Sequence, residues 1–401
     1  MIISLHTRRK AFLSTHQRNN DFLHVLKNDI LIQQVSLKEG KTVSEKASKK
    51  IVLTGGGSAG HVTPNIALIP ALKKAGFEIY YIGSYEGIEK KLIEDYNIPY
   101  FGISTGKLRR YFDPKNFSDP FRVLKGMSEA RTLLKKIQPD IVFSKGGYVS
   151  VPVVRAAGLL KIPYIVHESD MTPGLANRLS MSGASKICCN FPETMRLLPA
   201  DKAVLTGTPI REELGMGSKQ AGKELCGFTD DKPVLMVIGG SLGAQSVNET
   251  VRYALPRLLP NFNVVHLCGK EKMDNLKLTV PGYKQFEYVK NELKDIFAMA
   301  DIVVSRAGAN SICELLALKK PNILIPLSTK SSRGDQMLNA RSFEQQGFSM
   351  VIDNDDLDED ILVETIEELY NDREKYVEAM SKSNLHSATN TIVKIINEEI
   401  Q

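Results

Sequence analysis

The sequence predicts an α/β protein of two doubly wound, Rossmann-like domains facing across a cleft. Two observations carry this. Short runs of consecutive apolar residues, rather than alternating ones, recur along the chain, as in strands buried on both faces. Several of these runs end in a glycine-rich turn that leads into a helical segment, and this order starts twice, near residues 50 and 233. The 401 residues are enough for two cores, and a composition of 42% hydrophobic and 24% charged residues excludes wholesale disorder. No apolar run reaches the ~18 residues needed to span a bilayer, so an integral membrane protein is excluded too.

Residues 1–48 read differently. The first 50 residues hold ten Lys/Arg against four Asp/Glu, a surplus equal to the +6 of the whole chain. The rest is neutral, so no nucleic-acid partner is expected for the folded body. The segment lacks both the continuous apolar core and the small-residue cleavage site of a signal peptide. It reads as a disordered leader. The cysteines, Cys188, Cys189, Cys226, Cys268 and Cys313, show no metal-like pairing and no disulfide framework, which fits a reducing, cytosolic setting.

The first half opens with a strand at Lys50–Thr54, ending in Gly55-Gly56-Gly57-Ser58-Ala59-Gly60-His61. Thr63-Pro64 reads as an N-cap followed by proline at the first helical position. The helix should end near Gly76 and be kinked or shortened at Pro70. A strand follows at Phe77–Ile82, which completes a βαβ unit. Ile141–Phe143 runs into Ser144-Lys145-Gly146-Gly147-Tyr148, with a helix at Val151–Leu160 and a strand at Pro163–His167. Lys186–Cys189 and Ala203–Thr206 are further strands. Arg211–Lys232, polar and glycine-rich, reads as the region of the interdomain connection.

The second half repeats the order. A strand at Pro233–Ile238 ends in Gly239-Gly240-Ser241-Leu242-Gly243-Ala244, with a helix from about Val247. Strands are expected at Val264–Leu267, Tyr283–Phe286, Ile302–Ser305 and Pro321–Pro326, and a helix at Asn310–Leu318 after the turn Arg306-Ala307-Gly308-Ala309. Leu362–Ile400 is helical in pattern and is expected to cross back onto the first domain. The boundaries are a leader at 1–48, a first domain at 49–212, a second at 213–380 and a C-terminal helix at 381–401.

Glycine turns entering helices suit anions, because helix N-termini present free N–H groups and partial positive charge. The turns at 55–60, 239–244 and 306–309 are candidates; the plain alternative for each is a tight turn without a ligand. None is followed by the Lys-Ser/Thr of a P-loop. Gly55, Gly57 and Gly60 have dinucleotide-type spacing, but the next strand ends Tyr81-Ile82-Gly83-Ser84 without the acidic ribose ligand, which argues against nicotinamide or flavin. His61 closes the first turn and suits general-base work, or alternatively a capping role. Glu314, one turn into its helix, suits paired hydroxyls such as those of a ribose. Gln336 and Asn339, three apart, could both face a sugar, or else begin an ordinary solvated helix.

These motifs occur together and in order, with His167-Glu168-Ser169-Asp170, Gly174-Leu175-Ala176-Asn177 and Asp335-Gln336-Met337-Leu338-Asn339-Ala340 among them. Over residues 49–395 the chain resembles the peptidoglycan N-acetylglucosaminyltransferases of the GT-B class. The resemblance implies inverting transfer of GlcNAc from UDP-GlcNAc to the MurNAc 4-hydroxyl of undecaprenyl-diphosphate-muropeptide (lipid I), giving lipid II. It implies no cofactor and no obligatory metal, so the diphosphate charge must be met by N–H groups and cations. It matches His61 to the base. Ser58, Ala59 and Gly60, with Gly147 and Tyr148, match the turns that meet the acceptor diphosphate. On the donor side it matches Ser241, Ala309, Asn310 and Arg211 to the diphosphate, Glu314 to the ribose, Gln336 to the GlcNAc hydroxyls and Val289 to the uracil pocket. Asp170 stands where many members have Asn, Ala59 replaces a common glycine, and the leader has no counterpart. The other readings are another GT-B nucleotide-sugar enzyme, such as a glycolipid glycosyltransferase or an epimerase, and a non-catalytic nucleotide-sugar or lipid-binding scaffold.

A polyprenyl acceptor requires contact with the bilayer. Lys107-Leu108-Arg109-Arg110-Tyr111-Phe112, continuing through Lys115, Phe117, Phe121, Arg122 and Lys125, interleaves basic and aromatic residues as an anchor to anionic lipid requires. The plain alternative is a solvated loop. A peripheral location on the cytoplasmic side of the cell membrane is the resulting expectation.

Overall fold

The structure is a computed structural model, and it describes residues 48–107, 115–240, 243–330, 334–383, 385 and 388–401. In the first half, β1 (Lys49–Thr54), α1 (Thr63–Lys74), β2 (Phe77–Ser84), α2 (Ile88–Glu94) and β3 (Tyr100–Ile103) come first. The long α3 (Lys115–Ile137) leads to β4 (Ile141–Ser144), α4 (Ser150–Leu159), β5 (Tyr164–Glu168), α5 (Leu175–Ser180), β6 (Lys186–Cys189), α6 (Pro192–Met195) and β7 (Ala203–Leu205). The second half holds α7 (Lys219–Cys226), β8 (Val234–Ile238), α8 (Gln245–Leu258), β9 (Asn263–Leu267), β10 (Tyr283–Phe286), α9 (Leu293–Met299), β11 (Ile302–Ser305) and α10 (Ala309–Ala317). β12 (Asn322–Leu324), α11 (Asp335–Gln345), β13 (Met350–Val351), α12 (Glu359–Asn371), α13 (Arg373–Ser381) and α14 (Ala388–Glu398) complete it.

All strand pairs are parallel, in sheets ordered β3-β2-β1-β4-β5-β6-β7 and β10-β9-β8-β11-β12-β13. The central strands, such as β1, β4, β5, β8 and β11, are covered on both faces, which is why their runs are continuously apolar. Val52 of β1 faces one core cluster, while Ile51 and Leu53 face the other. Val234 and Met236 of β8 alternate with Leu235 and Val237 in the same way. In both sheets the strand order reverses at the centre, between β1 and β4 and between β8 and β11. The switch points at the carboxyl ends of those strands are where open α/β sheets bind ligands.

Several expectations change. A 3-10 turn over Ala59–His61 precedes α1, so Val62 is the N-cap and Pro64 stands at the second helical position. The Thr63 hydroxyl instead donates to the Ala59 carbonyl at 3.2 Å, within the preceding turn. The helix runs on through Pro70, whose own side chain is exposed. Arg211–Lys232 contributes to the core: Leu214, Cys226 and Phe228 are buried with Met236. Two of its glycines serve close packing: a Cβ on Gly217 would lie 2.0 Å from the Lys294 carbonyl oxygen and one on Gly222 2.4 Å from that of Asp295. β3 and β13 are additions, both short edge strands. At the C-terminus, Ile392, Ile395 and Ile396 of α14 are buried with Ile51 and Leu53 of the first sheet, and Lys49 Nζ donates to Asn397 Oδ1 at 2.8 Å.

Candidate active site

The two glycine turns of the first sheet interlock. Gly57 and Gly147 have φ of +84° and +80°. A Cβ on Gly57 would lie 2.4 Å from the Tyr148 ring, and one on Gly147 would lie 2.2 Å from the Gly56 carbonyl oxygen and 3.1 Å from His61 Nδ1. Only glycine permits that approach. The structure thus brings Ser58, Ala59, Gly60, His61, Gly147 and Tyr148 to one place. Ser58 Oγ lies 2.9 Å from His61 Nδ1. With the ring proton on Nδ1, donated to Ser58, the lone pair resides on Nε2, the arrangement a general base uses.

Glu89 is a residue the sequence reading did not single out. Its side chain is fully buried beneath the first turn. Oε2 accepts the Gly57 N–H at 3.2 Å, and Oε1 accepts the Ser84 N–H at 3.0 Å and the Ser84 hydroxyl. Tyr81 donates its hydroxyl to the Gly55 carbonyl at 2.7 Å, which fixes the other end of the turn. A lone glutamate in a short helix carries no sequence signal for this contact.

The second domain meets these turns directly. Asn310, at the start of α10, donates Nδ2–H to the Gly60 carbonyl at 2.7 Å. Ala309 opens the same helix and is buried in the second core, as is Val289. One turn on, Glu314 is half-buried and faces Arg211 at 3.7 Å. Burial raises the Glu314 carboxyl above its usual range, and the Arg211 guanidinium opposes that shift. Arg306 turns back from the 306–309 turn: its guanidinium donates to the Ile325 carbonyl at 3.0 Å, to Asn354 Oδ1 at 2.7 Å and to Ser246 Oγ at 3.1 Å. It thereby places a cation against the first turn of α8. Ser241 itself lies outside the described residues, as do 108–114 of the basic-aromatic stretch.

Gln336 and Asn339 separate. Gln336 Oε1 accepts the Leu327 N–H at 3.1 Å, at the rim of the second sheet. Asn339 does not face an open site: it is fully buried and bridges the domains. Its Oδ1 accepts the Met171 N–H at 3.0 Å, and its Nδ2–H donates to Asp170 Oδ1 at 3.2 Å. Thr172 donates to Asp335 Oδ1 at 3.0 Å beside it. The negative charge of Asp170 therefore meets an amide donor from the other domain. Glu168, buried just before it, accepts the N–H groups of Ser169, Asp170 and Gly174 and the Asn177 amide, and burial raises its carboxyl pKa.

Comparison with known proteins accounts for this arrangement. The glycosyltransferase family 28 N-terminal domain matches residues 51–189, and the family 28 C-terminal domain matches residues 234–396. The UDP-N-acetylglucosamine–N-acetylmuramyl-(pentapeptide) pyrophosphoryl-undecaprenol N-acetylglucosamine transferase of Lachnospira eligens is 62% identical over 350 residues, 87% of this chain and 99% of that protein. The protein of the same name from Lachnoclostridium phytofermentans is 61% identical over the same shares. Among solved structures, Acinetobacter baumannii MurG superposes with a TM-score of 0.69 at 25% identity, covering 87% of this chain and 99% of that one. Two parallel sheets meeting at a histidine-closed glycine turn, together with this identity over nearly the full length of its relatives, mean that the chain belongs to the pyrophosphoryl-undecaprenol N-acetylglucosamine transferase family, MurG.

Proposed function

We propose that this enzyme transfers GlcNAc from UDP-GlcNAc to the MurNAc 4-hydroxyl of undecaprenyl-diphosphate-linked muropeptide, with inversion, in peptidoglycan synthesis. The observation that supports this reading best is the Asn310–Gly60 hydrogen bond of 2.7 Å. It sets the N-terminus of α10 beside the turn that carries His61, so a donor diphosphate at that helix end would lie next to the base.

In this reading His61 Nε2 takes the proton of the attacking hydroxyl, with Ser58 holding the ring. Displacement at the anomeric carbon needs no covalent intermediate, because one base and one stabilised leaving group suffice. The N–H groups opening α10, the 239–244 loop with Ser241, and Arg211 meet the leaving diphosphate. Glu314 exchanges Arg211 for the ribose hydroxyls, Val289 walls the uracil, and Gln336 reads the sugar. The turns at 55–60 and 146–148 face the acceptor diphosphate, with Asp170 at the junction of the two halves.

The acceptor is a membrane lipid, and the enzyme would reach it from the cytoplasmic face. Phe121 and Leu124 on α3 are 74% and 58% exposed, beside exposed Arg122 and Lys125. Two large apolar side chains among cations suit an anionic bilayer surface. Among the described residues no helix is long and apolar enough to cross a membrane.

The test is transfer from UDP-GlcNAc to a short-chain lipid I analogue, reading UDP and disaccharide, beside His61→Ala. Disaccharide from UDP-GlcNAc and not UDP-glucose is expected. The variant should lose ~100-fold or more in kcat, the usual scale of a general base, and bind UDP-GlcNAc within about twofold of wild type. A His61→Ala enzyme with wild-type kcat would remove the base assignment.

A further inference from the structure

Lys145, which precedes Gly146-Gly147, has a fully buried side chain. Its Nζ lies 2.7 Å from His167 Nδ1, 2.5 Å from Ser169 Oγ and 3.5 Å from Thr208 Oγ1. The geometry fixes the proton positions. His167 Nε2 lies 2.8 Å from the Gly207 carbonyl oxygen, which only accepts, so Nε2 carries the ring hydrogen and Nδ1 is an acceptor. Burial, with the neighbouring ammonium, pushes the His167 pKa well down and keeps the ring neutral. An ammonium has three N–H groups, and these three acceptors match them.

The acceptors belong to different segments: the end of β5, the loop after it, and the connection that leads to Arg211. Thr208 also donates to Asn190 Oδ1 at 2.8 Å. The titratable groups facing the ammonium are His167, Glu168 and Asp170, Cys188 of β6, and Cys313 of α10 in the second domain. Cys313 adjoins Glu314 and itself meets Thr208. Lys145 therefore sits where the acceptor-side glycine turn, the interdomain connection and the ribose-side helix converge.

We propose that protonated Lys145 is a positioning residue for transfer, tying the connection at Gly207–Thr208 to the glycine turn at 146–147 and so setting the acceptor half against Arg211 and Glu314. This rests on the function proposed above. Burying an ammonium is costly, and an apolar side chain would fill the same space without that cost. Desolvation lowers the Lys145 pKa from 10.5 to about 8, with Glu168 the leading opposing influence. A neutral amine keeps two N–H groups for three acceptors, so the tie loosens as pH rises.

The experiment measures transfer from UDP-GlcNAc to the lipid I analogue across the neutral and alkaline range, for wild type, Lys145→Met and Ser169→Ala. Wild type should show an alkaline limb in kcat near pH 8. Lys145→Met should lose ~10-fold or more in kcat, with its donor KM within about threefold and the limb gone. Ser169→Ala removes one hydrogen bond to a charged group, so its limb should move about one pH unit to the acid side. Lys145→Met with wild-type kcat and limb overturns the proposal. So does an unmoved limb in Ser169→Ala when Lys145→Met merely loses stability. A wild-type chain that makes no disaccharide overturns the underlying function instead, and this proposal with it.

Discussion

Glu89→Gln tests how the acceptor-side turn is held. The carboxylate is fully buried, and both oxygens accept: one from the Gly57 N–H at 3.2 Å, the other from the Ser84 N–H at 3.0 Å and the Ser84 hydroxyl. Glutamine keeps the shape and turns one acceptor into a donor. Whichever way the amide lies, a backbone N–H of Gly57 or Ser84 faces another N–H. One hydrogen bond to a charged group, worth about 1.5–3 kcal/mol, is lost. At about 2–4 °C per kcal/mol for a domain of this size, melting should fall by roughly 3–12 °C. The catalytic effect follows from displacement of the turn that carries His61. A shift of about 1 Å costs on the order of 100-fold, so kcat should fall ~10- to 100-fold. UDP-GlcNAc binding, read by calorimetry, should hold, because the residues proposed to meet the donor lie on the second domain or the connection to it. A Glu89→Gln enzyme with lowered melting temperature and wild-type kcat would refute the reasoning, since the turn would then be placed without the carboxylate.

Three further outcomes are expected. Burial raises the Glu314 carboxyl pKa, so UDP-GlcNAc affinity should weaken as pH falls through that raised value, while Glu314→Gln, ~10-fold weaker at neutral pH, should show no such dependence in titration calorimetry. The same shift has the opposite sign for folding: the native state holds this proton more tightly than the unfolded chain, so the contribution is present at low pH and lost as pH rises past the raised pKa. Phe121→Ser with Leu124→Ser should weaken binding to anionic vesicles by ~10-fold or more, from the loss of roughly 1.5–3 kcal/mol per buried side chain, with soluble-analogue turnover unchanged; equal vesicle binding would move the membrane contact elsewhere.

Much of the fold was legible because its signals are local. Ile51-Val52-Leu53 and Val234–Ile238 are apolar at every position because both faces of each strand are covered, and the glycine turns that follow need no distant partner to be recognised. His61 and Glu314 were singled out on equally local grounds, residue type and distance from a helix start; the roles proposed for them await the transfer assay. Edge strand β3 gives little local signal because Pro99 precedes it and Gly102 interrupts its short apolar run.

The sequence by itself determined the two parallel sheets and their glycine turns, and it singled out the residues proposed as base and ribose ligand. Only the tertiary structure decided what those residues touch. Glu89 supports Gly57 from 32 positions away, Asn310 reaches Gly60 across 250, and Asn339 is taken up by Asp170 and Met171 rather than left to a sugar. Gly217 and Gly222 read as part of the interdomain connection in sequence, and in the fold they let backbones pack closely. Periodicity and turn chemistry act within a few residues. Hydrogen bonds and close contacts between domains depend on how the two sheets come to face each other, and neighbouring residues do not encode that.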